Sequence, residues 1–506
     1  MSFPRYTHLV FTSLSHPNLS LFNHAIRALS KTPSLCIQSI HLYLQMIRTR
    51  IKPDNFTYPF LLNSCAALSA LHQGIEIHGR LFKNGYCPYI PVTNALIDMY
   101  GKCNALDRSY CVFDEMPERD VVSYNALLGA HARFGEDMNG AQRVFDRMPA
   151  RNVISWNAMI VGYVNAGDLD SARSIFDKMP ERNIVSWTTM LIGYTKNGII
   201  DLARVLFDAM PDRNLVSWTA MITGYAQNGR PNEALALFRR MEKAPVKPDA
   251  VTMTSVISAS AQLGGIELAE WIGSYVDREG IERNERVLTA LIDMHAKCGN
   301  MEKAFRIFNE IPRPDVFSYS ALINGLASHG HGMQALEIFH RMQKENIEPD
   351  YITFVGVLTA CSHTGLVEDG LRFWESMVKD YRIDPDADHY ACMVDILGRA
   401  GKLDEAHKLV KSMPMGPHPG ALGSLLAACR TYGNVEIAES VAEQLFELEP
   451  ENTGNYMLLS SIYALGERWD EAARVRTAMK ERRVNKLPGC SWVEVNSNGL
   501  GFRVKN

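Results

Sequence analysis

Apolar residues recur along the chain with the spacing of one helical face, in pairs of short segments. Within residues 153–183 two such stripes follow each other, each with apolar residues at i, i+4 and i+7. The first stripe contains Trp156, Ile160 and Tyr163, and the second contains Ala172, Phe176 and Met179. Gly167 separates the stripes and Pro180 follows the second; glycine commonly ends a helix and proline cannot continue one. This stretch therefore predicts a helical hairpin whose two apolar faces pack together.

Polar residues at the ends of these segments predict how the helices begin. Ser155 lies just before the first stripe and Asp168 just before the second, and both residue types are preferred N-caps. The spacing of Gly162 and Gly167 lacks the Lys and Ser/Thr that follow in a phosphate-binding loop. We therefore interpret these glycines as helix-packing and helix-ending residues.

The hairpin pattern repeats along almost the whole chain. Trp156, Trp187 and Trp218 lie 31 residues apart, in the near-copies VISWNAMIVGY, IVSWTTMLIGY and LVSWTAMITGY. Units in the same frame begin at Leu19, Asn55, Ile90, Val121, Val153, Ile184, Leu215, Ala250, Glu285, Val316, Tyr351 and Ala387. A fixed period of this length is typical of stacked repeats that pack on their neighbours without a single core. The predicted fold is an all-α solenoid.

Composition and charge narrow the function classes. Hydrophobic residues make up 46% of the 506 residues, which is typical of a folded chain. No apolar run approaches the 18 residues expected of a membrane-spanning helix. The formal net charge of −4 excludes nucleic-acid binding through an overall basic surface. It leaves open recognition through base contacts in a locally positive groove.

Half of the ten cysteines follow the repeat frame, and no C-x-x-C pair is present. The eleventh residue of a unit is Cys65, Cys361 and Cys429, and the fourteenth is Cys103 and Cys298. A small apolar residue suits these helix-packing positions, so packing is favoured over metal binding or a disulfide. We therefore expect the protein to lie in a reducing compartment.

Units that read VVSxNAL…GxxxxGxxxxAxxxFDxMPxRN resemble pentatricopeptide repeats, and the mixture of 31- and 35-residue units resembles the plant PLS subclass. The resemblance covers residues 19–486. It implies a right-handed superhelical α-solenoid of helix-turn-helix repeats, with about a dozen repeats in 19–418. GSLLAACRTYGNVEIAESVAEQLFELEPEN and the segment after it resemble the E motifs of that subclass, over 419–486. Residues 487–506 resemble the beginning of an E+ segment. Residues 1–18 are interpreted either as a transit peptide or as a simple disordered lead-in.

Some members of the family carry a zinc-dependent deaminase with H-x-E and C-x-x-C motifs. Neither motif occurs in this sequence. We therefore expect no catalytic residues, no metal ligands and no cofactor, and the resemblance implies that any base deamination needs an enzyme supplied in trans.

In this family a base is read by the fifth and the last residue of each unit. The resemblance implies uracil readers at Asn23 with Asp54 and Asn94 with Asp120, and pyrimidine readers favouring cytosine at Asn125 with Asn152 and Asn157 with Asn183. It implies an adenine reader at Thr188 with Asn214, guanine readers at Thr219 with Asp249 and Thr289 with Asp315, and a weaker purine reader at Ser320 with Asp350. Pro59 with Tyr89, Thr254 with Asn284, Val355 with Asp386 and Ala391 with His418 are left unassigned. The alternative is that Asn or Thr near a helix start is only a helix-compatible polar residue.

Two further features stay open at the level of sequence. The second residue of a unit contacts bases in the family, but Val122, Ile154, Val185 and Val216 could equally pack between repeats. A basic stretch at Arg474, Arg476, Lys480, Arg482, Arg483 and Lys486 could contact phosphate, although a solvated helix face is favoured. Trp492 is expected to be a packing residue.

The resemblance implies a sequence-specific protein that binds single-stranded organellar RNA, one base per unit. It is expected to act as a site-recognition factor for cytidine-to-uridine editing. Its expected partner is a deaminase-bearing pentatricopeptide repeat protein or an editing accessory factor, in trans. We expect a monomer when bound to RNA, no membrane association, and a plant organelle, the mitochondrion before the chloroplast. The alternatives are RNA stabilisation or processing, and a protein-binding helical scaffold.

Overall fold

The computed structural model describes residues 17–481, whose regular secondary structure is entirely helical. They form 28 α-helices and one 3₁₀ turn at Pro33–Leu35, with no strand in this part of the chain. The chain divides into two compact units, Met1–Val256 and Ile257–Asn506. Residues 1–16 and 482–506, and with them most of the lead-in, the E+ segment, Trp492 and the end of the basic stretch, lie outside the described residues.

The first unit consists of helical hairpins, with odd-numbered first helices and even-numbered second helices. They are α1 Leu19–Ser30, α2 Cys36–Arg48, α3 Thr57–Ala67, α4 Leu71–Lys83, α5 Ile90–Lys102, α6 Leu106–Glu115, α7 Val121–Phe134, α8 Met138–Asp146, α9 Val153–Asn165, α10 Leu169–Lys178, α11 Ile184–Lys196, α12 Ile200–Ala209, α13 Leu215–Gln227 and α14 Pro231–Glu242. The division between the units falls inside α15 Ala250–Leu263.

The second unit continues the same alternation. Its helices are α16 Ile266–Arg278, α17 Glu285–Lys297, α18 Met301–Glu310, α19 Val316–Ser328, α20 Gly332–Lys344, α21 Tyr351–Thr364, α22 Val367–Lys379, α23 Ala387–Arg399, α24 Leu403–Lys411, α25 Pro419–Tyr432, α26 Val435–Leu448, α27 Thr453–Leu465 and α28 Trp469–Glu481. The prediction of an all-α repeat solenoid is confirmed.

The first helices begin where the sequence frame predicted, with one exception. The second of them begins at Thr57 rather than Asn55. Its start is delayed because Pro59 has no backbone N–H to donate to the Asn55 carbonyl oxygen four residues before it. Residues 55 and 56 form a turn before the helix.

The prediction that Ser155 caps α9 is wrong. Asn152 is the N-cap, and its Oδ1 accepts from the backbone N–H of Ser155 at 3.0 Å. Ser155 is the third helical residue and closes a capping box with the Asn152 backbone. The cap of the second helix agrees with the prediction, because Asp168 accepts from the backbone N–H of Ser171. Gly167 has φ of +77°, a conformation that glycine adopts without steric cost.

The repeated tryptophans hold each hairpin to the one before it. Trp187 lies edge-on to Phe176 of the preceding second helix, with ring centroids 5.0 Å apart. Arg182, from the M-P-x-R turn between them, covers the other side of Phe176 at 4.9 Å and donates from Nε to its carbonyl oxygen. The same trio recurs at Phe145, Arg151 and Trp156 and at Phe207, Arg213 and Trp218. The tryptophans are therefore structural, and the arginine of the turn is a packing residue that sequence inspection missed.

Close helix packing between hairpins depends on glycine in the first helices. A Cβ on Gly193 would lie 2.7 Å from Val164 Cγ2, and one on Gly325 would lie 2.4 Å from Ala296 Cβ. Ala172, predicted at the closest approach of its hairpin, is fully buried. Small residues thus permit the helices to approach, which sets the stacking of the units.

The cysteines at the eleventh position lie in the core. Cys65, Cys361 and Cys429 are fully buried, and burial raises the pKa of Cys65 and Cys361 to about 12. The nine cysteines within the described residues are free thiols. Over the same residues, no helix combines the length and apolarity needed to cross a membrane.

Candidate nucleic-acid interface

Each predicted pair joins the first helix of one hairpin to the start of the next. Except at Asp54, which lies before the late start of α3, the last residue of each predicted pair is the N-cap of the following first helix, as for Asp120 before α7, Asn183 before α11 and Asp350 before α21. The fifth residue lies one turn inside the preceding first helix. The stacking of hairpins brings these two positions together, although they are 26 to 31 residues apart in the pairs that bond directly.

Five pairs make direct side-chain hydrogen bonds. Four of them are amide pairs, in which the Nδ2 of the fifth-position Asn donates to the last residue. The distances are 3.0 Å for Asn23 to Asp54, 3.4 Å for Asn94 to Asp120, 3.3 Å for Asn125 to Asn152 and 3.5 Å for Asn157 to Asn183. In the fifth pair, Ser320 Oγ lies 3.3 Å from Asp350 Oδ1.

Two further pairs are joined through a third side chain. Thr219 Oγ1 lies 2.6 Å from the hydroxyl of Thr252, which donates to Asp249 Oδ1 at 2.8 Å. Thr289 Oγ1 lies 2.8 Å from the hydroxyl of Ser318, which donates to Asp315 Oδ1 at 2.7 Å. Sequence reasoning did not identify these intervening residues. Their signal was a Ser or Thr three positions after Asp249 and Asp315.

The pair Thr188 and Asn214 is the exception. The Thr188 hydroxyl donates to the carbonyl oxygen of Ile184 at 2.6 Å, within its own helix. The Thr188 side chain is buried, and Asn214 caps α13 through Ser217 N–H. No hydrogen bond joins these two side chains within the described part of the chain.

At most of the joined pairs, capping and pairing engage one side-chain atom of the last residue and leave the other without a hydrogen bond from the described residues. Asp54 differs, because both of its oxygens accept from Asn23 Nδ2. At Asp120, Asp249 and Asp315 the hydrogen bonds from described residues all reach Oδ1, which leaves Oδ2 as an acceptor. At Asn152 and Asn183 the bonds likewise reach Oδ1, which leaves Nδ2 as a donor. A cap residue therefore offers a ligand an acceptor when it is Asp and a donor when it is Asn.

Hydrogen bonding also keeps one of these caps ionised. Burial acts to raise the pKa of Asp120, but hydrogen bonds from Ser123 and Asn94 outweigh it and hold the pKa below its usual value. The carboxylate is therefore an acceptor at neutral pH.

The second residue of each unit lies beside these pairs and is exposed. Val122 is 57% exposed and Ile154 is 64% exposed. They flank the pair Asn125–Asn152, because Val122 is three residues before Asn125 on α7 and Ile154 is two residues after Asn152. Phe56, Val185, Val216, Val251 and Phe317 occupy the same position and are also exposed. The sequence left open that these side chains pack between repeats. Because they lie on the surface, that interpretation does not fit them.

A polar pair between two exposed apolar side chains suits a flat ring with a hydrogen-bonding edge. The apolar groups contact the faces of such a ring, and the pair bonds its edge. Among the described residues, no group of three or more His, Cys, Asp or Glu side chains is placed to hold a metal ion.

Family models match most of the repeat region and its C-terminal end. The PPR repeat model matches residues 92–121, 154–184, 185–215, 286–314, 352–381 and 388–415, and the PPR repeat family model matches 213–262 and 314–363. The E motif model matches residues 432–494.

Plant proteins are similar to nearly the whole chain. A pentatricopeptide repeat-containing protein of Arabidopsis thaliana is 47% identical over 510 residues, covering 100% of this chain and 85% of the relative. A mitochondrial one from the same plant is 37% identical, covering 99% and 79%. A chloroplastic one is also 37% identical, covering 98% of this chain and 62% of the relative.

The fold is also similar to a solved structure from this group. PPR10, crystallised with an 18-nt psaJ RNA element, superposes with a TM-score of 0.56 at 20% identity, covering 95% of this chain and 76% of that one. At this identity the similarity shows the fold alone. With the repeat and E motif matches and the full-length plant relatives, the chain belongs to the pentatricopeptide repeat proteins.

Proposed function

We propose that this chain is a sequence-specific, single-stranded RNA-binding protein of a plant organelle that marks sites for cytidine-to-uridine editing. The observation that carries the proposal is the side-by-side placement of the fifth and last residues across successive hairpins. Seven of the eight assigned pairs are joined directly or through one hydroxyl. In six of these seven pairs the last residue has a side-chain atom with no hydrogen bond from the described residues; at Asp54 both carboxylate oxygens accept from Asn23 Nδ2.

The chemistry of the last residue distinguishes the bases. The free carboxylate oxygen of Asp120 or Asp249 suits the ring N–H of uracil or guanine. The free Nδ2 of Asn152 or Asn214 suits the ring nitrogen of cytosine or adenine, which is an acceptor. The fifth residue adds size selection, because an Asn side chain leaves less depth for the base than Thr or Ser. Asn thereby favours pyrimidines and Thr favours purines.

The E motif match supports the editing role, and the plant relatives support an organellar location. The proposed division of the chain is a lead-in over 1–18, repeats over 19–418, E motifs over 419–486 and an E+ segment after them. In this proposal the repeats bind the transcript, and the E region recruits a deaminase-bearing protein or an editing accessory factor in trans. A mitochondrial location is proposed before a chloroplast one; relatives with either designation span nearly the whole chain.

Base reading is tested with purified protein and a synthetic RNA. The probe has the order U-N-U-C-C-A-G-N-G-R, with one base for each unit from Leu19 to Val316, and is made in both strand directions. Tight binding to one direction, and weak binding to a scrambled RNA of the same composition, is the expected result. Equal affinity for the scrambled RNA would show that the pairs do not read bases.

The editing role needs a separate test in the plant. Silencing the gene and sequencing mitochondrial and chloroplast transcripts should reveal one or a few sites that lose editing, near a sequence that matches the probe. If all sites remain fully edited while RNA binding is intact, the protein has a different role on its transcript.

A further inference from the structure

The third residue of the following unit lies between the two proposed base-reading residues. In the guanine pairs it is Thr252 or Ser318, and beside Ser320 it is Thr353. We propose that this hydroxyl is a positioning residue for base selection: it determines which hydrogen-bonding face the fifth residue presents to the base. The inference rests on the proposed function and deepens it.

The distances place three groups in a chain at each of these sites. Thr219 Oγ1 is 2.6 Å from Thr252 Oγ1, which is 2.8 Å from Asp249 Oδ1. Ser320 Oγ is 2.7 Å from Thr353 Oγ1, which is 2.7 Å from Asp350 Oδ1. The chain through Ser318 has the same form, with 2.8 Å and 2.7 Å. Ser318 and Thr353 are buried, as is Thr252, so water does not replace these partners.

Proton counting gives these chains a direction. A hydroxyl has a single hydrogen to donate, and an ionised carboxylate only accepts. Thr252 must therefore give its proton to Asp249. The contact between the two hydroxyls can then form only if Thr219 donates to Thr252. Thr219 is left with lone pairs alone, so it acts toward a base as an acceptor.

This polarity matches one base edge. Thr219 Oγ1 and the free Asp249 Oδ2 present two acceptors side by side. Guanine carries two neighbouring donors on its Watson–Crick edge, the ring N–H and the amino group, whereas adenine has an acceptor at its ring nitrogen. Two acceptors therefore bond guanine fully and leave one mismatch with adenine, and an unpaired polar group costs binding free energy.

The other pairs show that this hydroxyl contact is variable. Ser217 follows Thr188 in the same way, but its hydroxyl donates to the Asn214 backbone carbonyl at 2.9 Å, and Thr188 bonds within its own helix. Among the amide pairs, Thr57 donates to Asn23 Oδ1 at 2.6 Å. The corresponding serines Ser123, Ser155 and Ser186 make no such bond. The Oδ1 atoms of Asn94, Asn125 and Asn157 are accordingly buried without a partner in the described structure.

The test removes this hydroxyl while keeping the base-reading residues. Thr252→Val is nearly isosteric, Thr252→Ser restores the hydroxyl, and Ser217→Ala removes a hydroxyl that does not touch its fifth residue. Affinity is measured for four RNAs that differ only at the base assigned to Thr219 with Asp249. For Thr252→Val we expect the preference for guanine over adenine to fall about fivefold at this base and at no other.

Thr252→Ser should keep the preference, and Ser217→Ala should leave the preference at its own base unchanged. Both Thr252→Val and Ser217→Ala delete a hydroxyl near a helix start, so a general loss of stability cannot produce the difference between them. Ser318→Ala, assayed at the base assigned to Thr289, repeats the test if Thr252→Val does not fold. A guanine preference that survives in Thr252→Val or Ser318→Ala overturns the inference alone. A wild-type chain with no base preference at any assigned position overturns the proposed function and the inference together.

Discussion

Residues 121–214 in the first unit and 285–350 in the second have the same hairpin geometry but satisfy their polar groups differently. The aromatic contact between hairpins is preserved: Phe176–Trp187 and Phe308–Tyr319 both have centroids 5.0 Å apart. The arginine that covers the phenylalanine changes, from Arg182 in the turn to Arg341 on α20. The apolar contact is thus part of the scaffold, and its polar cover can come from another element.

The buried histidines show the difference most clearly. His131 and His295 both lie at the eleventh position of a first helix and are buried. His131 Nε2 bonds to the Tyr110 hydroxyl at 2.8 Å, and its Nδ1 is 3.7 Å from Asp137. Both ring nitrogens of His295 are buried with no hydrogen-bond partner among the described residues. His131 Nδ1 also has no hydrogen-bond partner among the described residues, so one ring nitrogen is satisfied at this position in the first unit and neither is in the second.

The proposed base-reading pairs differ in the same way. Residues 121–183 contain amide pairs, and in Asn125 and Asn157 one amide oxygen is left unsatisfied. Residues 285–350 contain hydroxyl pairs linked through Ser318 and Thr353. The scaffold tolerates either arrangement, because in both regions an Asp or Asn side chain caps the first helices.

The largest expected effect tests whether the aromatic contact is the shared element. Phe176→Ala removes a buried ring held between Trp187 and Arg182, and should lower the free energy of unfolding by about 3–5 kcal/mol. Phe308→Ala should cost a similar amount, measured by urea denaturation. If only one of the two matters, the contact is not a common scaffold element. Substitution of Lys178, exposed on the same helix as Phe176, is the control.

The next effect separates the two histidines by pH. Burial, with a smaller contribution from Lys303, lowers the pKa of His295 to about 4, against about 6.5 in the unfolded chain. The unfolded state therefore binds more protons between these values. Stability is complete above pH 6.5 and falls by ~3 kcal/mol as the pH drops to 4.

His295→Leu should flatten this pH dependence in urea titrations between pH 7 and 4. His131→Leu should change it less. Burial also lowers the pKa of His131, but Asp137 opposes that shift. If both variants change the pH dependence of stability equally, the contacts of His131 with Tyr110 and Asp137 have no effect on it.

A smaller effect tests close helix approach. A Cβ at Gly325 would meet the Cβ of Ala296, which cannot move without its helix, whereas a Cβ at Gly162 would first meet the flexible end of Met138. Gly325→Ala should destabilise by about 1–3 kcal/mol and Gly162→Ala by less. Thermal unfolding of the two variants measures the difference. If Gly162→Ala destabilised the protein more than Gly325→Ala, the helices that carry Gly325 and Ala296 would be able to move apart at little cost.

The smallest effect exchanges one kind of pair for the other. Thr219→Asn turns a hydroxyl pair into an amide pair that resembles Asn23 with Asp54. Base preference at that position should move from guanine to uracil by about tenfold, or ~1.4 kcal/mol, measured with RNAs that differ at one base. Asn157→Thr should move preference the other way, from pyrimidine to purine. No change in either variant would restrict these residues to a structural role.

Much of the fold could be predicted because its information is local. The stripe at Trp156, Ile160 and Tyr163 and the glycine at 167 act within one helix or turn, and the helices begin almost everywhere at the predicted residues. The Ser155 cap was wrong because the helix begins earlier: Asn152 accepts from the backbone N–H of Ser155, which makes Ser155 the third helical residue. Both residues are good caps, and sequence spacing does not rank them.

The sequence by itself determined the helices, the period of the hairpins and the register at which Asn, Thr and Asp recur, since each depends on interactions within a few residues. The tertiary structure decided which of these side chains touch. Asn125 meets Asn152, Thr252 links Thr219 to Asp249, and Thr188 turns back to its own helix. The physical reason is that these contacts cross from one hairpin to the next. They depend on how closely the helices stack, and that distance is set by the glycines and rings packed between them.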